Sequence, residues 1–239
     1  MNKTREYPLR RWLARAGVDL SDWFERWFPD AFTFGLIAVA IVFAASVAAG
    51  DSPGRVAGWF GAGYWELVKF TMQMVMIIVS GYAVATSPPV YRLIRRMAGL
   101  PTSPPGAVAF VALFSMLSSL FSWSFSLIFS GLLAREVAHR VRGADYRALG
   151  AAAYLGLGSV WALGLSSSAA LLMASRSSMP AALLEISGAV PLEETILLWQ
   201  SLLMAGVLIF VSVAVAYGAT PSADQARGPE SLGVQYRPV

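Results

Sequence analysis

Two groups of hydroxyl side chains stand out in this otherwise apolar sequence. The first surrounds Trp123 in a stretch of 28 uncharged residues, 107–134, and the second interrupts the apolar stretch 148–175. Hydroxyls beside interrupted helices, together with free backbone N–H groups at helix N-termini, can bind a small carboxylate without a fixed positive charge. The candidate substrate-binding residues are Ser122, Trp123, Ser124, Ser166, Ser167 and Ser168.

A structural role is the alternative for each of these residues, because small side chains also allow membrane helices to pack closely. For Ser115, Ser118 and Ser130, which lie farther from the expected breaks, we favour packing. For the serines beside the breaks both interpretations stay open. Trp123 could likewise be a packing wedge, with its indole N–H bonded to a carbonyl.

Catalytic and metal-binding patterns are not evident in the sequence. No serine lies in a Gly-x-Ser-x-Gly motif, and the single histidine, His139, lies in a basic segment. The absence of cysteine excludes disulfides and thiolate metal sites. We therefore expect no enzyme, no bound metal and no cofactor.

Composition places the chain among polytopic membrane proteins, since 56% of its 239 residues are hydrophobic and only 13% are charged. Its net charge of +4 follows the expected membrane topology and gives no case for nucleic acid. About thirty mostly polar residues precede the first apolar run, so we expect an uncleaved first helix as the insertion signal. The predicted fold class is an all-α membrane protein.

We predict about four transmembrane helices, one of them broken, and one re-entrant helical hairpin over 107–134. The broken helix is expected within 148–175, because as one straight helix it would measure about 42 Å against a bilayer core of about 30 Å. Gly156, Gly158 and Gly164 interrupt it. The predicted spans are 31–49, 70–86, 148–175 and 196–217.

The two ends of the chain are expected to lie outside the bilayer. Residues 1–30 are predicted to form a cytoplasmic arm that ends in an amphipathic interfacial helix, with Pro29 stopping it and Asp30 capping the next helix. A single transmembrane domain follows over 31–217. The tail 218–239 is polar and rich in Pro and Gly, and is predicted to be disordered and cytoplasmic.

Charge counting favours the re-entrant hairpin over a single spanning helix in 107–134. With the hairpin and an inside N-terminus, the inner regions hold 15 Lys and Arg residues and the outer regions 3. With a spanning helix the counts become 10 and 8. Basic residues favour the cytoplasmic side, so the first arrangement fits and both termini are expected there.

Four stretches of the chain resemble the short-chain fatty acid transporter family, bacterial uptake proteins associated with acetoacetate and butyrate. They are 26–30 (RWFPD), 70–81 (FTMQMVMIIVSG), 134–138 (AREVA) and 153–156 (AYLG). The family resembles part of the ion-transporter superfamily, whose members contain two inverted repeats, each with scaffold helices, a re-entrant hairpin and a broken helix. The resemblance runs from about residue 20 to 217 and corresponds to the N-terminal half of a family member. It implies that hairpin tip and break form half of a substrate site.

The resemblance implies a half-size subunit of a secondary transporter for short-chain carboxylates, driven by H⁺ or Na⁺, in a bacterial inner membrane. A second membrane subunit is expected to complete the site, in preference to a homodimer. The alternative is a non-transporting structural subunit of a larger membrane complex. That alternative is favoured by the absence of a second repeat and by the hairpin tip, where serines at 122, 124 and 126 replace residues of the family pattern Asn-Trp-Gly-Phe-Gly. Losing glycines narrows the space and the backbone freedom there.

Overall fold

The structure is a computed structural model that describes residues 8–177, 179 and 181–234, with side chains from residue 12 onward. All regular elements in this part of the chain are helices, which confirms the predicted all-α class. The first seven residues of the expected arm and the last five of the expected tail lie outside the described residues. Two compact units are present: Val18–Ser80, and a larger one that takes in the described residues up to Gly17 and from Gly81 onward.

Ten α-helices and several short turns of other helix types make up the described chain. Their bounds are α1 Pro8–Trp27, α2 Ala31–Ala48, α3 Pro53–Thr86, α4 Pro88–Met97, α5 Pro104–Phe121, α6 Trp123–Arg140, α7 Tyr146–Leu155, α8 Ser168–Ala174, α9 Ala181–Ser187 and α10 Trp199–Gly218. A π-helical turn, Gly156–Val160, and a 3₁₀ turn, Trp161–Leu163, connect α7 to α8.

Five helical segments of the described residues are long and apolar enough to cross a membrane. They are α2, α3, α5, the interrupted segment Tyr146–Ala174, and α10. Four of them correspond to the predicted spans, and α5 is the first arm of the predicted hairpin. At 18 residues α5 is about 27 Å long. Since length alone permits it to cross, the re-entrant placement of the hairpin stays a prediction.

The smaller unit exposes nearly all of its apolar surface. No residue of α2 is buried, and Phe32 and Val42 on it are 76% and 64% exposed. Contiguous apolar surface of this extent is unfavourable in water but ordinary against lipid tails. Asp30 caps α2 as predicted, accepting hydrogen bonds from the N–H groups of Phe32 and Thr33 at 3.0 Å.

Helix α3 is longer than the sequence indicated. The aromatic, mildly amphipathic composition of 56–69 predicts a segment at the outer interface, separate from the span over 70–86. Instead one helix of 34 residues covers both. No proline lies between Pro53 and Pro88, so nothing interrupts the backbone ladder, and the glycines at 58, 61 and 63 each weaken it only modestly.

The core of the larger unit is formed by α5, α6 and α7, with α10 packed on α5. Its fully buried apolar side chains include Val108, Val111, Leu133, Val137 and Leu149. Contacts such as that between Ser115 and Ser126, on either side of the break at Ser122, show that α5 and α6 run antiparallel as a hairpin. This hairpin and the segment after α7 position the candidate site.

The segment after α10, predicted to be disordered, makes specific contacts in its described part. The N–H of Arg227 donates to Asp145 Oδ2 at 3.0 Å, and the N–H of Tyr146 donates to the Arg227 carbonyl at 2.9 Å. Burial raises the pKa of Asp145, but hydrogen bonds from Arg147, Arg227 and Ala148 outweigh it and hold that pKa below its ordinary value.

Candidate functional site

The hairpin tip is a one-residue break in the helical backbone. Ser122 is extended, with φ −154° and ψ 119°, and is the capping residue of both flanking helices. Its N–H donates to the Ser118 carbonyl at 3.0 Å, and its Oγ accepts from the Phe125 N–H at 3.4 Å. The same residue thus ends α5 and caps α6, because a serine hydroxyl can satisfy an orphan N–H of the first turn.

The second interruption begins where α7 gives way to the π-helical turn. The 3₁₀ turn follows, and Gly164 then becomes extended with φ −98° and ψ 169°. Helical structure resumes at Ser168, the first residue of α8. Backbone groups freed in this way inside a membrane must find partners in the protein or in a water-filled cavity.

Hairpin tip and second interruption contact each other directly. The backbone N–H of Trp123 donates to Ser166 Oγ at 2.9 Å, and the N–H of Leu165 donates to the Leu120 carbonyl at 2.7 Å. A Cβ on Gly164 would lie 2.7 Å from Leu120 Cα and from two carbonyl oxygens, so only glycine fits at this approach. The two predicted clusters therefore meet, although they are more than 40 residues apart.

A second set of serines satisfies the backbone of the π-helical turn. Ser115 Oγ donates to the Ala153 carbonyl at 2.7 Å and accepts from the Gly156 N–H at 2.9 Å. Ser119 Oγ donates to the Gly156 carbonyl at 2.9 Å. Ser126 Oγ donates to the Ser115 carbonyl at 2.7 Å. These buried bonds tie α5, α6 and the turn together and leave no room for a side chain at Gly156.

The six predicted site residues take different positions. Ser122, Trp123, Ser124 and Ser166 are half-buried at the junction, and the hydroxyls of Ser122 and Ser124 lie 3.1 Å apart. Ser167 is buried and caps α8, where its Oγ accepts from the Ala170 N–H at 3.3 Å. Ser168 is exposed on the first turn of α8, with no hydrogen bond to the tip among the described residues.

The serines outside the two clusters are not alike. Ser115 has the most specific role, which sequence reasoning did not assign, because its partners are about 40 residues away. Ser118 donates to the Phe114 carbonyl in its own helix. Ser130 Oγ is buried, and no hydrogen-bond partner for it lies in the part of the chain that the structure describes.

A buried carboxylate beside the hairpin was also missed from the sequence. Glu136 on α6 is 2% exposed and accepts a hydrogen bond of 2.5 Å from the Tyr91 hydroxyl of α4. Arg95 Nε lies 4.0 Å from its second oxygen. This contact fastens α4 to α6 away from the tip, and the only signal for it in the sequence was the charged residue itself.

The junction is neutral and rich in hydroxyls. The residues that form it, 120–124 and 164–168, include no Asp, Glu, Lys, Arg or His. Elsewhere in the described chain, no group of three or more His, Asp and Glu side chains could hold a metal ion. Such an arrangement can bind a small ligand through hydroxyl and backbone groups but offers no general acid, general base or nucleophile with an activating partner.

The amino-acid sequence matches one protein family over most of its length. The family model described as "Short chain fatty acid transporter" matches residues 12–231. The chain belongs to this family. The family description is that of a transporter, which agrees with the expectation that the chain is not an enzyme.

Two curated relatives of this family member are candidate short-chain fatty acid transporters. The protein of Escherichia coli (strain K12) is 36% identical over 129 residues, which cover 54% of this chain and 29% of the relative. The protein of Haemophilus influenzae (strain ATCC 51907 / DSM 11121 / KW20 / Rd) is 30% identical over 142 residues, 59% of this chain and 32% of the relative. The matched region thus spans about a third of each relative. No solved structure matches significantly.

Proposed function

We propose that this chain forms one half of a secondary transporter for short-chain carboxylates, with the hairpin tip and the adjoining break as its part of the substrate site. The observation that carries the proposal is the hydrogen bond of 2.9 Å from the Trp123 N–H to Ser166 Oγ, which joins two interruptions of helical backbone. Family membership supports the substrate class.

The chemistry of the junction suits a monocarboxylate. Half-buried hydroxyls can replace part of the water shell of a carboxylate, and the positive end of the 18-residue helix α6 favours negative charge. We assign direct contact to Ser122, Trp123, Ser124 and Ser166. Ser167 supports the site by capping α8. Ser168, on the exposed first turn of α8, is the remaining candidate for contact.

A partner chain with a second hairpin and a second broken helix would complete the site in this proposal. The charge asymmetry of the sequence favours one orientation in the membrane, which disfavours an antiparallel homodimer. We further propose a bacterial inner membrane location with both termini in the cytoplasm, and coupling to H⁺ or Na⁺. Unwound backbone carbonyls at the break are the groups that would coordinate a sodium ion.

The second candidate function is a non-transporting structural subunit of a larger membrane complex. The observation in its favour is that the serine hydroxyls at the tip already form hydrogen bonds within the protein. Ser122 and Ser124 lie within hydrogen-bond distance, and Ser126 is buried with its Oγ bonded to the Ser115 carbonyl. A tip filled in this way leaves less room for a substrate than glycines would.

Uptake of labelled butyrate by proteoliposomes that contain the chain with its co-purifying membrane partners tests the proposal. Ser124→Leu should abolish most uptake, because it fills the junction with an apolar side chain. Ser80→Leu is the matched control: Ser80 is exposed on α3 and donates only within its own helix, so uptake should stay near that of the wild type.

The identity of the partner separates the two candidate functions. A homologous second half that co-purifies in mild detergent, together with butyrate uptake, supports a split transporter. A large unrelated complex without butyrate or acetoacetate uptake supports the structural subunit and contradicts the transport proposal.

A further inference from the structure

We propose that Arg92, Arg95, Arg96 and Arg140 form a binding pocket for the phosphate headgroup of an anionic phospholipid. The four side chains line one open cavity of about 260 Å³. Three of them come from α4 and the fourth from the last residue of α6. This pocket belongs neither to the serine junction nor to the proposed transport step.

The two helices place the four arginine side chains around one cavity. On α4, Tyr91 and Ile94 are buried against the core, which leaves the three arginines on the exposed side. Gly99, just after α4, gives Arg140 space: a Cβ there would lie 3.1 Å from Arg140 Nη1. The Tyr91–Glu136 hydrogen bond of 2.5 Å holds α4 against α6.

Protein carboxylates balance little of the charge in this pocket. Glu136 lies 4.0 Å from Arg95, but it is buried and already accepts from Tyr91. Within the described residues, no carboxylate forms an ion pair with Arg92, Arg96 or Arg140. Neighbouring guanidinium groups repel one another unless an anion lies between them. A phosphate has several acceptor oxygens, and guanidinium groups can bind such an anion through paired N–H donors.

Exposed leucines beside the arginines favour a lipid over a soluble phosphate. Leu93, which lies between Arg92 and Arg95, is 55% exposed. Leu100, three residues after the end of α4, is 65% exposed. A short amphipathic helix with basic and apolar exposed residues is typical of a segment at the membrane surface, with the cations at phosphate depth. Basic pockets between helices on the cytoplasmic side are a known setting for anionic headgroups.

Native mass spectrometry of the full chain in detergent, titrated with phosphatidylglycerol, tests this pocket. Arg140→Gln should weaken retention of the lipid roughly fivefold, as expected for the loss of a charge-assisted hydrogen bond to the headgroup phosphate. Arg142→Gln is the matched control, because Arg142 is exposed, lies two residues away and loses the same charge, but does not line the cavity. Its retention should equal that of the wild type. Thermal unfolding checks that both variants fold, and Arg96→Gln replaces Arg140→Gln if the latter does not.

Three results would overturn the proposal. Equal loss of phosphatidylglycerol in Arg140→Gln and Arg142→Gln would indicate diffuse attraction instead of a pocket. Equal retention of phosphatidylcholine by the wild type would show that the anionic headgroup is not recognised. Complete displacement of phosphatidylglycerol by millimolar inorganic phosphate would assign the pocket to a soluble anion.

Discussion

Gly164 brings the broken segment within hydrogen-bonding distance of the hairpin. It is buried, and its α-carbon faces the backbone of Ser119 and Leu120 with no space for a methyl group. The neighbouring hydrogen bond from Leu165 to the Leu120 carbonyl depends on the same approach. A substitution at this one residue should therefore separate the two clusters.

We predict that Gly164→Ala lowers the free energy of unfolding of the purified chain by about 1–3 kcal/mol, because backbone atoms 2.7 Å from the new Cβ cannot rotate away. Gly150→Ala is the control. Gly150 lies in α7, and a Cβ added to it would meet nothing within 4 Å, so alanine should leave stability unchanged or raise it by up to about 1 kcal/mol. Equal effects of the two substitutions on the unfolding midpoint would contradict the close approach.

Residue types and spacing predicted the two breaks but not their bonding. Basic residues at both ends of the long uncharged run indicated a hairpin with its interruption near Trp123, and glycines indicated the second interruption. The bonds of Ser115 to Ala153 and Gly156 could not be predicted, because they depend on how α5 and α7 pack. Local patterns contain no information on such contacts between distant segments.

At the scale of elements, α7 is held at its start by one buried carboxylate. Asp145 accepts hydrogen bonds from the N–H of Arg147 and Ala148 and pairs with the Arg147 guanidinium at 2.8 Å. It also accepts from Arg227 in the segment after α10. The carboxylate thus caps a helix and anchors a distant segment at the same time.

We predict that Asp145→Asn releases the segment around Arg227 while leaving the cap of α7 in place. Asparagine keeps one acceptor oxygen, but its NH₂ group cannot accept from the Arg227 N–H. Trypsin should cleave after Arg227 at least about fivefold faster at pH 7, given a loss of about 1–3 kcal/mol for the buried bonds. Asp30→Asn, which alters the corresponding cap of α2, should leave that cleavage rate unchanged. Unchanged cleavage in Asp145→Asn would contradict the anchor.

The pH dependence of this anchor follows from the lowered pKa of Asp145. A carboxyl whose pKa is lower in the folded than in the unfolded protein stabilises the fold fully above the unfolded value, about 3.9. That contribution is lost as the pH falls through the lowered folded value. Asp145 should therefore add no pH dependence to stability between pH 5 and pH 8.

Element boundaries were predictable where proline or a capping side chain set them. The span predicted over 70–86 ends where α3 ends, at Thr86 just before Ser87 and Pro88, and Asp30 caps α2 as predicted. The start of α3 was not predicted, because an aromatic, mildly amphipathic segment and an apolar span can belong to one helix when no residue breaks the ladder. The amino-acid composition changes along α3, whereas its backbone is helical throughout.

For the whole molecule, the distribution of basic residues predicts the membrane topology. The segments next to both ends of the hairpin are basic, whereas the turn between α2 and α3 and the first turn of α3 contain one arginine, Arg55, paired with Asp51 at 3.3 Å. The positive-inside bias therefore predicts that the two hairpin ends lie on the cytoplasmic side and the turn on the outer side.

Single cysteines test this topology in a chain that has none of its own. We predict that Ser52→Cys reacts with a membrane-impermeant maleimide in intact spheroplasts, and that Thr102→Cys and Arg142→Cys react only after permeabilisation. Both hairpin-end residues are exposed, so lack of reaction cannot reflect burial in the chain. Labelling of Thr102→Cys and Arg142→Cys from opposite sides would contradict a hairpin that enters and leaves on one side.

The most direct test of the proposed site is protection of the hairpin tip by substrate. In membranes that contain the chain and its partners, butyrate should slow maleimide labelling of Ser124→Cys, because the bound carboxylate would cover the junction of Ser122, Ser124 and Ser166. Labelling of Ser80→Cys on the exposed face of α3 should be unaffected. If butyrate is taken up by these membranes while the labelling rate of Ser124→Cys stays the same, the substrate does not bind at the tip and the proposed site is wrong.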